Sequence, residues 1–162
     1  MQSRFLMHLD DFPDELRKYC FEFFYWFSRF EYALKENNYV APGQYGSAAP
    51  AWSKFESDFG GAYRLTEEGR ELVEAPPQRQ VYVEPNRWEW GETDFSRMKT
   101  DLGKAILSVK TIRNNLFHGG KHNEKDWDEP DRNLFLLPRG TKVLDSFARL
   151  HGNLLAEYRR SY

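Results

Sequence analysis

The chain has a single cysteine, Cys20, in 162 residues, which excludes an internal disulfide and a cysteine-rich zinc site. Its neighbours Tyr19, Phe21, Phe23 and Phe24 mark it as a small core residue in a protein of a reducing compartment. Nowhere do 18 uncharged apolar residues stand together, so no transmembrane helix is expected. The opening MQSRFLMHLDDF has no apolar stretch long enough for export. Together these absences predict a cytoplasmic protein that does not enter membranes. An excess of one charge sign is lacking too: the formal net charge of -2 is not that of an ordinary basic nucleic-acid binder. No internal repeat occurs. What is plentiful is aromatic side chain, 17% of residues, beside 30% charged residues. That pairing describes a soluble domain with an aromatic interior, whose length buries roughly two-thirds of its unfolded surface.

Hydrophobic spacing predicts a long amphipathic helix from Pro13 to about Asn37. Leu16, Cys20, Phe23, Phe27, Phe30 and Leu34 recur at three- and four-residue steps, and Pro13 with Asp14 and Glu15 suits a first turn. Phe24, Tyr25 and Trp26 widen the apolar face, so this helix is expected to be central, with neighbours on more than one side. A second long helix is expected from Thr93 or Asp94 to His118, burying Met98, Leu102, Ala105, Ile106, Val109, Ile112 and Leu116, with Gly119 as its left-handed stop. After a polar loop, helical spacing resumes from about residue 131 to 159, with Pro138 able to kink or divide it. Between the first two long helices, residues 39–92 hold most of the prolines. Short helices near 51–59 and 66–73 and a strand at QVYVE are expected there, Thr66 capping the second helix. Trp52, Phe55, Trp88 and Trp90 are expected to pack this lobe. The whole reads as one all-α domain over 1–162, a bundle of four to five helices with residues 39–92 as an irregular insertion.

The second long helix ends in IRNNLFHGGK. Between Arg97 and Lys121 the bases Arg97, Lys99, Lys104, Lys110, Arg113 and Lys121 face only Asp101, a local surplus of five on the segment that carries this motif. An anionic ligand belongs there. On an ideal helix Asn114 and His118 share a face, whereas Arg113 and His118 point about 140° apart. A second subunit related by a two-fold axis brings another copy of the pair opposite the first, so a shared site at a dimer interface uses this arrangement well.

The run from Arg113 to His118, at the end of a helix that follows a long aromatic helix with RFE at Arg29 to Glu31, resembles the signature of the HEPN superfamily. The resemblance covers about 13–37 and 94–159 and leaves the central lobe outside. It implies a small helical bundle, commonly dimeric, and metal-independent endoribonuclease activity of the kind found in toxin-antitoxin, phage-defence and RNA-processing systems. Arg113 and His118 match the catalytic pair, Asn114 the polar residue after the Arg, and Glu31 an acidic residue that supports the site. RNA, a second copy of the chain, and an antitoxin or other neighbouring-gene protein are the partners implied; no cofactor is. One departure is Gly120, where toxins silenced by a nucleotidyltransferase antitoxin carry the modified Tyr, so that regulation is not expected here.

The chemistry follows from the residue types. RNA cleavage by its own 2′-hydroxyl needs a proton acceptor, a proton donor and a cation at the phosphorus centre. An imidazole titrates near neutrality and fills either proton role, and a guanidinium grips phosphate in a forked contact. Lys110 and Lys121 are placed to meet neighbouring phosphates. The plainer reading is that Arg113 and His118 only satisfy the last carbonyls of their helix. A non-catalytic HEPN module that binds nucleotide, RNA or a partner protein is the alternative function. His118 and His122 are four apart, but the two glycines between them break the helix and no further ligands complete a metal site. Trp88 and Trp90 either stack bases or cover a core, and alternation along a short strand favours the core.

Overall fold

The structure, a computed structural model, describes residue 10 and residues 12–118 and 130–160. Six α-helices and two small antiparallel ribbons make up this part: α1 (Asp14–Glu36), β1 (Val40–Pro42), β2 (Ala48–Pro50), α2 (Trp52–Phe59), α3 (Glu67–Glu74), β3 (Arg79–Val83), β4 (Arg87–Gly91), α4 (Asp101–His118), α5 (Pro130–Ala148) and α6 (Gly152–Arg159). The fold is mainly helical, with β1 paired to β2 and β3 to β4.

The long helix α1 forms where its spacing predicts, and it packs against α4, α5 and α6. Leu16, Phe23, Phe27, Phe30 and Leu34 are buried, while Cys20 is partly so. Phe30 is the hub: its ring lies within 5.3–6.2 Å of Trp52, Phe55, Phe147 and Tyr158. The widened apolar face divides. Trp26 packs on Tyr158 at 4.8 Å, whereas Phe24 and Tyr25 are exposed. Helices α1, α4 and α5 meet closely at Gly140, where an added Cβ would stand 2.7 Å from the Phe23 ring and 3.2 Å from Ile112. A larger residue there would push apart the elements that carry the candidate site.

The inserted lobe is more regular than its composition suggests. Helices α2 and α3 and strand β3 fall at the expected positions, and the Thr66 hydroxyl accepts from Gly69 N at 3.1 Å as a cap. Trp52 and Phe55 join the core. Trp88 and Trp90 do not: Trp88 is exposed, contrary to the expectation that it packs the lobe, and Trp90 is half-buried against it. Two further expectations give way to local chemistry. Helix α4 starts at Asp101 instead of Thr93 or Asp94, because the Asp94 carboxylate accepts from Ser96 N and Oγ in a turn. Thr100 then caps the helix by accepting from Gly103 N at 2.9 Å, leaving Met98 outside. The C-terminal helix divides at Arg149–His151 and not at Pro138, which lies inside α5. There the His151 Nδ1 accepts from Asn153 N at 3.2 Å and caps α6. Gly119, Gly120, Lys121 and His122 lie outside the described residues.

Candidate nucleic-acid site at the end of α4

Helices α1 and α4 cross along a seam on which their residues meet in opposite chain order. Phe24 faces Phe117 at 5.4 Å. One turn on, the Arg113 guanidinium lies 5.9 Å from the Phe27 ring. Beyond that, Glu31 accepts from Trp52 Nε1 at 3.2 Å, and the Lys110 ammonium lies 5.9 Å from the same indole. The spacing 24, 27, 31 on one helix and 110, 113, 117 on the other places each set on one face. The seam therefore runs from a polar and indole-lined end to an apolar, open end.

At the open end stand the motif residues. Arg113 is half-buried; its guanidinium rests over the Phe27 and Phe117 rings, 5.1 Å from the latter, and its Nη1 donates to Asn114 Oδ1 at 2.9 Å. Among the described residues two rings and an amide hold this cation and no carboxylate pairs with it, an arrangement that leaves its charge available to an anion. Asn114 and His118 are exposed on the last two turns. Because α4 is continuous to His118, Arg113 and His118 diverge within one chain, and the polar partner of Arg113 is Asn114. Glu31 sits one turn along α1 from Phe27, with Trp52 as its hydrogen-bond partner. Lys110 is exposed; Lys121 lies outside the described residues.

Sequence reasoning overlooked the rim. Phe21, Phe24, Tyr25 and Phe117 are 67%, 44%, 39% and 54% exposed, a contiguous aromatic collar beside the motif. Phe21 stacks on Tyr25 at 6.2 Å. The only signal in the sequence was the excess width of the apolar face of α1. The first residue of the RFE triplet is structural: Arg29 is 6% exposed and donates to the carbonyls of Glu157, Tyr158 and Arg160, which closes the C-terminal end of α6.

A cleft of about 520 Å³ elsewhere on the surface is lined by Trp26, Glu68, Lys142, Asp145, Arg149 and Tyr158, among others, and by none of the motif residues. Its cations are paired: Lys142 with Glu68 at 3.1 Å, and Arg149 and Arg159 with Asp145 at 2.6 and 3.2 Å. Among the described residues no group of three or more His, Cys, Asp or Glu is placed to hold a metal ion, and no helix is long and apolar enough to cross a membrane.

No family model, curated protein or solved structure matches the chain. What the end of α4 does has to be argued from its own side chains.

Proposed function

We propose that the protein is a metal-independent endoribonuclease of HEPN type, working in the cytoplasm as a homodimer whose two subunits together form the active site. The supporting observation is a helix end carrying half-buried Arg113 and exposed Asn114 and His118 beside a group of exposed aromatic rings. Burying Phe24 and Phe117 against their symmetry mates brings two guanidiniums and two imidazoles to one groove, which the divergence of Arg113 and His118 in a single chain otherwise prevents. One imidazole takes the 2′-hydroxyl proton, and the 2′-oxygen attacks phosphorus. The bond from phosphorus to the 5′-oxygen breaks, and the second imidazole, protonated, gives its proton to that oxygen. The products are a 2′,3′-cyclic phosphate and a 5′-hydroxyl. Arg113 holds the non-bridging oxygens, Asn114 fixes its guanidinium, Glu31 supports the site from α1, and Lys110 and Lys121 take adjoining phosphates. An antitoxin or other neighbouring-gene protein that covers the groove fits a toxin or defence role.

The test is incubation of the purified protein with RNA in EDTA. Cyclic phosphate ends are expected, with the rate falling on the order of 100-fold or more in His118→Ala and in Arg113→Ala. Equal cleavage by parent and both variants, all folded, overturns the proposal.

The divergence of Arg113 and His118 also favours a second reading if the protein is monomeric. A lone helix end of this kind is a non-catalytic module that binds nucleotide, RNA or a partner protein. Salt-dependent RNA binding with no cleavage at any protein concentration selects it.

A further inference from the structure

The β3–β4 ribbon carries an aromatic face whose Tyr82–Trp88 part is exposed and whose Gln80–Trp90 part is half-buried. Tyr82 pairs with Trp88 and Gln80 with Trp90, so these four side chains share one face of the ribbon. Tyr82 is 67% exposed and Trp88 36% exposed, and the Trp88 and Trp90 indoles meet edge to face at 5.6 Å. None of these three rings belongs to the hydrophobic core.

The root of the ribbon is firmly held, and held by the motif. Asn115, between Asn114 and His118 on α4, donates from Nδ2 to the Gln78 carbonyl at 2.7 Å. Thr93 Oγ1 donates to Pro77 O, and Arg132 Nη2 on α5 donates to the carbonyls of Ala75 and Pro76 at 2.8 and 2.6 Å. The two strands are therefore closed on each other at the root through Thr93, and the segment before β3 is tied to α4 and α5 through Asn115 and Arg132, within one turn of His118.

We propose that this face is a stacking platform for the bases of single-stranded RNA, which feeds the strand to the groove at Arg113 and His118; the identity of the nucleic acid rests on the nuclease reading. Accessible rings accept any unpaired base, while a duplex keeps its base faces stacked inside. Charge complements the occupant. From Arg97 to Arg113, Arg97, Lys99 and Lys110 are exposed and Lys104 and Arg113 half-buried, whereas the one acid of the stretch, Asp101, accepts from Leu65 N. A backbone of phosphates following the stacked bases meets that surplus.

The test uses the full-length His118→Ala protein, which preserves the RNA, and fluorescence anisotropy with a labelled single-stranded 12-mer and the corresponding duplex. Adding Tyr82→Ala or Trp88→Ala is expected to weaken single-strand binding roughly five- to 150-fold and to leave duplex binding unchanged. Trp88→Phe, which keeps a ring, should recover most of the loss. Single-strand binding unchanged in both alanine variants, or single-strand and duplex binding lost in parallel, overturns the platform. So does self-association that Trp88→Ala abolishes, since the face would then belong to a second copy. Cleavage by the protein with native His118 separates the two ideas. Active enzyme whose Tyr82→Ala and Trp88→Ala variants keep their KM for single strands removes the platform and leaves the nuclease. Inactive protein whose single-strand binding still depends on these rings removes the nuclease and leaves the platform.

Discussion

Two stretches of the chain are dense in aromatic residues and end in opposite surroundings. In α1, Phe23, Phe27 and Phe30 repeat at helical steps and are all buried, because α4, α5 and α6 close over that face. In the β3–β4 ribbon, Tyr82, Trp88 and Trp90 alternate as they would in a sheet over a core, yet none of them joins the core of the described residues, and Tyr82 and Trp88 are exposed. The same kind of side chain is cohesion in one place and contact surface in the other. The seam between α1 and α4 joins the two conditions: Phe27 is inside, and Phe24 and Phe117, a turn away, are outside. It is at this change from covered to uncovered rings that Arg113 and His118 stand.

The contrast is broken most sharply by truncating one ring on each side. Phe30→Ala removes a fully buried ring and is expected to cost about 3–5 kcal/mol in urea unfolding. Trp88→Ala in the same assay should cost under about 0.5 kcal/mol. Comparable losses would mean that the ribbon face is structural after all. A smaller effect is expected from Arg29→Met, which keeps the bulk of the side chain but withdraws its donors from the last carbonyls of α6. A loss of about 2 kcal/mol should appear, together with faster amide exchange confined to α6. Unaltered exchange there would show that the helix end does not depend on Arg29.

The mildest probe is alkaline titration of the covered tyrosines. Burial, and then the hydrogen bond to Asp58 at 2.9 Å, push the Tyr39 phenol up from 10.0 to about 12. Burial likewise raises Tyr63 and Tyr158. The folded state holds these protons more tightly than the unfolded chain does. The stabilising contribution of Tyr39 is complete below about pH 10 and is lost as pH rises through about 12, and those of Tyr63 and Tyr158 are likewise lost on the alkaline side. The urea midpoint should fall over that window, and less so in Tyr39→Phe. A midpoint that does not move would contradict the burial of these phenols.

How far the sequence could be read depended on the range of the forces involved. Thr66 was legible as a cap, and Trp52–Phe59 as a short helix, since both follow from residues within a turn of one another. The start of α4 was misplaced because Asp94 favours a turn with Ser96, while Thr100 caps the helix by accepting from Gly103 N. At Pro138 the usual breaker was tolerated, and at His151 an unremarkable residue capped the start of a new helix. At the candidate site, Arg113, Asn114 and His118 were legible as a motif, and their accessibility was not.

The chain by itself determined where its helices run and which of their faces are apolar, because backbone hydrogen bonding and side-chain period act within a few residues. Only the tertiary structure decided that Arg29 closes α6, that Arg113 lies against two phenylalanine rings, and that Tyr82 and Trp88 of the ribbon are left exposed. Those outcomes depend on which remote segment arrives to cover a surface or accept a proton, and spacing along one strand or helix carries no record of the neighbour across from it.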